Sequence, residues 1–184
     1  MALALLLLDL AGLVGYLLTL WFGFRSLGFA DTQSAALMLS FRKHTGLAIP
    51  TLMFVLFGQS MTMFYFIGLG KQAREAAEAI SETAGRRMRA LVRAQKGPVF
   101  RSATLAVTFA ITVYVLGGAV HVHKVRPAWH LTAGLAALFF HLQAIWSALV
   151  GMSDLHDWLE NPGGAPPPEA PNEEPATEEP PISK

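Results

Sequence analysis

Four long apolar runs constrain this chain more than anything else in it. They extend over Leu3–Phe24, Leu47–Leu69, Ala103–Ala119 and Leu131–Met152. About 20 helical residues cross a hydrocarbon core about 30 Å thick. The first, second and fourth runs reach that length. The third is slightly short, but Arg101 can snorkel at one end and Val120 extends the other. Backbone groups in lipid must pair within the span, so each run is expected to be a helix. A soluble bundle would show a polar face, and ALALLLLDLAGLVGYLLTLWFGF has none. The expected fold is all-α, an integral-membrane four-helix bundle over residues 1–160.

Composition changes sharply after that. Residues 161–184 hold eight of the eleven prolines, several glutamates and almost no large apolar side chains. Such a segment cannot bury enough surface to fold, so a disordered cytoplasmic tail is expected. At the other end the first run lacks the basic start of a secretory signal and is expected to stay as the first helix.

Charge sets the orientation. Of 14 basic residues, eight lie between Gly70 and Arg101: Lys71, Arg74, Arg86, Arg87, Arg89, Arg93, Lys96 and Arg101. Basic short connections stay in the cytoplasm. The middle connection and both termini are therefore expected inside, and the other two connections outside. The expected setting is a bacterial inner (plasma) membrane, crossed several times. Trp21 and Trp129 suit its outer edge and Trp158 its inner edge.

The basic connection reads as a solvated linker. Its apolar residues Ala73, Ala76, Ala77, Ile80, Ala84, Met88, Leu91 and Val92 recur near helical spacing, and Glu82 can pair with Arg86. The second helix continuing inward, or a separate helix on the membrane surface, is the alternative. Acids are mixed with the bases and no recognition motif appears, so no nucleic-acid partner is expected. In the first outer connection, Asp31 or Thr32 would cap a short interfacial helix. SDLHDWLE would close the fourth helix as an amphipathic turn.

Three polar side chains interrupt the apolar interior: Asp9, Gln59 and His141. Each stands roughly 15 Å from the inner end of its run, taking 1.5 Å per residue. Asp9 would accept a hydrogen bond from His141, with Gln59 bridging the two. This inner polar site reads as interhelical glue, as a proton or ion site, or as a seat for His141 as an axial ligand held by Asp9. Gly12, Gly15 and Gly134 would let the helices approach closely.

A second group is expected at the outer face, where His44, His121, His123, His130 and Asp31 fall at helix ends or connections. Neutral imidazole suits iron, copper, nickel or zinc, so His44, His121, His123 and His130 are the candidate metal ligands. Lys124 and Arg126, with Arg42 and Lys43, would repel a free cation but suit haem propionates. Noncovalent haem b is thus the cofactor expected, on His44, His121 or His130 with His141 in reserve. Met61 or Met63 would offer sulfur at the His141 level. With no cysteine, disulfides, thiolate metal sites and covalent CxxCH haem are excluded.

No phosphate loop, nucleotide fingerprint or GxSxG elbow is present, and Ser60 and Ser147 have no organised base. No catalytic residue is assigned. The leading functional expectation is a small membrane b-type cytochrome or redox subunit, moving electrons near the outer face. The alternatives are a non-catalytic accessory subunit of a larger membrane complex and a metal-ion or proton transport component. The partners expected are the lipid bilayer and either a larger complex or a quinone.

Overall fold

A computed structural model of the chain describes residues 2–26 and 35–160. Among these residues it forms four helices: α1 (Ala2–Arg25), α2 (Ala35–Ile80), α3 (Glu82–His121) and α4 (Pro127–Glu160). Each is long and apolar enough to cross a membrane. The chain is an all-α four-helix bundle and an integral, multi-pass membrane protein. The expected Asp31 or Thr32 cap and the tail over 161–184 lie outside the described residues. Inner and outer follow the charge-based orientation.

Within the spans the bundle buries mostly small and polar residues and turns many large apolar ones outward, while Phe66, Leu69, Val99 and Leu155 form a core toward the inner end. Phe64 and Trp146 are each 69% exposed, whereas Gln59 and His141 are 0% exposed. Lipid tails are as apolar as leucine, so nothing drives large hydrophobes inward, and close packing favours small residues instead. On α4 the inward row is His130, Gly134, Ala137, His141, Ala144, Ala148, Gly151 and Leu155. On α1 it is Leu5, Asp9, Gly12, Tyr16, Thr19 and Gly23. Both rows step by three and four residues in turn, the repeat that keeps one seam facing its partners along a bundle. α1 packs on α2 and α4, and α3 packs on the same two, so α2 and α4 lie between α1 and α3.

The connection expected as a solvated linker is helical. α2 has 46 residues and α3 has 40, lengths of about 69 Å and 60 Å at 1.5 Å per residue. Both outrun a hydrocarbon core of about 30 Å. α2 passes the expected Leu47–Leu69 run at both ends, so from Ala35 the expected first outer connection, His44 included, is part of α2 rather than a separate interfacial helix. At its other end α2 forms a hairpin with the start of α3. Packing explains this. Ala73, Ala77 and Met88 turn inward there and bury Leu155 of α4 completely, so SDLHDWLE is a working part of α4. Only Ser81 separates the two helices. Its backbone is extended (φ −167°) and its Oγ accepts from the Ala84 N–H at 3.1 Å, capping α3. Arg86 pairs with Glu82 as expected, and Arg89 pairs with Glu78 across the hairpin.

α3 ends in a turn that accounts for the HxH pair. His123 is left-handed (φ 58°). Its N–H reaches the Val120 carbonyl at 3.0 Å, and the Lys124 N–H reaches that of Ala119 at 2.9 Å. These are the two bonds of a Schellman motif, with His123 in the position glycine usually fills. The segment is not extended, so His121 and His123 do not project together. His123→Gly should therefore raise stability by up to about 1 kcal/mol, by removing the Cβ penalty of a left-handed residue. Thermal unfolding of the purified protein in detergent reads this. An unchanged or lowered midpoint would mean the imidazole makes interactions that outweigh the strain.

Candidate functional site

The polar side chains of the interior sit at two levels along the seam of α1, α2 and α4. At the inner level Gln59 of α2 is the centre. Its Nε2 donates to Asp9 Oδ1 at 2.9 Å and faces His141 Nδ1 at 3.5 Å. Thr62, one turn along α2, donates to Asp9 Oδ2 at 3.3 Å. His141 does not reach the Asp9 carboxyl. Its Nε2 lies 3.1 Å from the Asp9 main-chain carbonyl. A carbonyl only accepts, so Nε2 carries the proton and Nδ1 is left to accept from Gln59. The imidazole is thereby held as one tautomer with both nitrogens engaged.

Glycines make room for this level. A Cβ on Gly58 would stand 2.5 Å from Asp9 Oδ1, and one on Gly12 would stand 3.3 Å from His141 Nε2. Asp9 and His141 therefore lie against the bare backbone of a neighbouring helix. The Tyr16 ring meets the His141 ring at 5.6 Å between centroids. Two buried polar atoms there have no hydrogen-bond partner among the described residues, Gln59 Oε1 and the Tyr16 hydroxyl. Unspent hydrogen-bonding capacity inside a bundle is uncommon.

The outer level is built from His44 and His130. His44 Nδ1 donates to the Thr19 carbonyl at 2.7 Å, and His130 Nδ1 to the Val113 carbonyl at 3.1 Å. Their rings meet edge to face, with centroids 5.9 Å apart, an ordinary aromatic packing distance. Gly23 lies against His44 and Gly117 against His130, where a Cβ would come within 3.0 Å and 3.1 Å of the rings. Thr19 and Thr51, with hydroxyls 3.4 Å apart, stand between the two levels.

Of the expected site residues, Asp9, Gln59 and His141 come together at one level, and His44 and His130 at the other. His121 does not join them. It stacks on Phe41 at 5.7 Å, and His123 is taken up by the turn. The expectation of haem b on His44, His121, His130 or His141 is overturned. Among the described residues no group of three or more histidine, cysteine, aspartate or glutamate side chains could hold a metal ion. His141 has both ring nitrogens committed to protein partners, and the outer level has two histidines without a third donor. Asp31, the carboxylate proposed for that shell, lies outside the described residues.

Reasoning from sequence missed Tyr16, Thr19, Thr51, Thr62 and Gly58. The signal for the first two was present, since Asp9, Tyr16 and Thr19 share one three–four row on α1. Gln59 and Thr62 are likewise i,i+3 neighbours on α2.

No protein-family model, curated protein or solved structure matches this chain.

Proposed function

We propose that this protein is a small proton-handling component of a membrane, in keeping with a place in the bacterial inner membrane. Asp9 and His141 are the groups that take up and release the proton. One observation carries the reading: two buried side chains able to exchange protons share a mid-membrane level and are joined through one Gln59 amide. Ionisable groups at such depth are costly to keep in a bundle, and their common use is in proton pathways. The Tyr16 hydroxyl, buried without a hydrogen-bond partner among the described residues, supplies a further donor beside His141. Thr19, Thr51 and His44 continue the polar seam outward.

The test is flux. The full chain is placed in liposomes with an internal pH-sensitive dye, and a potassium diffusion potential is imposed. The wild-type protein should carry protons above the protein-free background. Asp9→Asn and His141→Gln, which retain hydrogen-bonding capacity, should each lower the rate by about tenfold or more, the low end for removing a group that transfers protons. Flux unchanged in the double variant would rule this mechanism out.

A second reading rests on the inner hairpin. Three helices continue beyond the hydrocarbon and end in a packed, highly charged arm, a form suited to docking as a non-catalytic accessory subunit. Detergent-resistant copurification with a larger complex, undiminished when His44, His130 and His141 are replaced, would favour that reading over proton handling.

A further inference from the structure

A groove of about 290 Å³ opens on the surface of the α3–α4 pair, toward the end of the bundle that the charge-based orientation assigns to the inner leaflet. It is distinct from the histidine levels, which face the bundle interior. Arg101 and Ser147 stand at its inner end, Gln143 lies deeper, and Leu105 and Phe140 line its apolar wall.

The chemistry of the groove is ordered by depth. Phe109 stacks on Phe140 at 4.8 Å, and Gln95 donates to Asp154 at 2.6 Å. These two contacts set the register of the antiparallel pair, and they place Arg101 level with Ser147 and Ala148. Gln143 is about 6 Å deeper on the rise of α4, and Phe140 about 10 Å deeper. Descending from the inner surface, the groove thus offers a guanidinium and a hydroxyl at one level, then an amide level with Leu105, then the Phe140 ring. A glycerophospholipid presents the complementary series: phosphate, glycerol esters, acyl chain.

The polar groups are also free to act. Among the described residues, Arg101, Gln143 and Ser147 make no side-chain hydrogen bond or ion pair within the chain. Asp154, the acid nearest in register, is engaged by Gln95 instead. Gln143 is exposed on the lipid-facing side of α4, where an unsatisfied amide is costly. Arg101 gives the groove a positive mouth, and its planar fork suits phosphate oxygens.

We propose that this groove seats one anionic phospholipid of the inner leaflet, its phosphate on Arg101, its ester oxygens on Ser147 and Gln143, and an acyl chain along Leu105 and Phe140.

Native mass spectrometry of the full chain in mild detergent tests this, with phosphatidylglycerol and phosphatidylcholine as the probes. The expected result is one phosphatidylglycerol retained in clear preference to phosphatidylcholine. R101Q should lower its retention by about tenfold or more, the factor a lost charge-assisted hydrogen bond carries. Arg93→Gln, an exposed cation on the hairpin, should leave retention unchanged. Gln143→Leu changes an exposed side chain without intramolecular bonds, so the fold should survive, and it should also lower retention. Three lipid-binding results would overturn the proposal, and one crosslinking result besides. They are equal retention of the two lipids, equal retention by R101Q and wild type, and thermal stabilisation by inorganic phosphate matching that by phosphatidylglycerol. Crosslinking from Gln143→Cys to a protein helix, with lipid retention unaffected, would assign the groove to a partner subunit and likewise overturn it.

Discussion

Gly58→Val is expected to unfold or severely weaken the bundle, and Gly58→Ala to weaken it measurably. At 2.5 Å from a new Cβ, the Asp9 carboxylate oxygen must move. That oxygen is the one Gln59 donates to, so the motion breaks a buried bond as well as creating a clash. Overpacking typically costs about 1–3 kcal/mol, and leaving a buried charged or polar group unpaired adds about 1–3 kcal/mol. Valine, with two further methyls, should reach about 3 kcal/mol or more on those figures. Asp9→Ala offers a check on the cause. In that background the obstructing oxygen is gone, and Gly58→Ala should become nearly neutral. A double-mutant cycle on detergent-unfolding midpoints reads the coupling. Additive penalties would mean that Gly58 is needed for something other than Asp9.

His141→Ala is expected to cost about 3 kcal/mol, within the range for deleting a large buried ring. His141 is fully buried against Gly12 and Tyr16, so truncation leaves a void among three helices. Two hydrogen bonds go with the ring. In bundles within lipid these contribute modestly, on the order of 0.6–2 kcal/mol. His141→Leu separates the two effects, since leucine fills much of the void and makes neither bond. The leucine variant should lose about 1 kcal/mol, mostly from the unmatched Gln59 amide. If leucine were as damaging as alanine, hydrogen bonding rather than packing would dominate the site. If alanine were harmless, the ring would not be the keystone of the seam.

Much of the architecture was legible in the sequence because membranes make it so. Apolar runs of spanning length permit little but helices, and four of them gave the bundle. The depth at which Asp9, Gln59 and His141 fall could be counted from the run ends, because the helical rise is constant. Their convergence at one level follows from that. The inner hairpin was harder. Its alanine-rich rows carry a weak helical signal, and only the burial of Leu155 between Ala73, Ala77 and Met88 makes the helix worth forming.

The histidines mark the division most clearly. Sequence alone determined that His44, His121, His123 and His130 fall near the ends of the apolar runs, that His141 falls inside one, and that His130 and His141 lie about three turns apart on nearly one face, the last following from the helical repeat. Only the tertiary structure decided which of them meet. Helix rotation and the hand of one turn are set by packing between distant residues. His123 was spent on ending α3 in a left-handed turn, and His121 was turned onto Phe41. His44 and His130 were brought ring to ring because Gly23 and Gly117 let neighbouring helices close on them. His141 was locked by Gln59 and the Asp9 carbonyl, contacts between residues more than eighty positions apart, which no local pattern records.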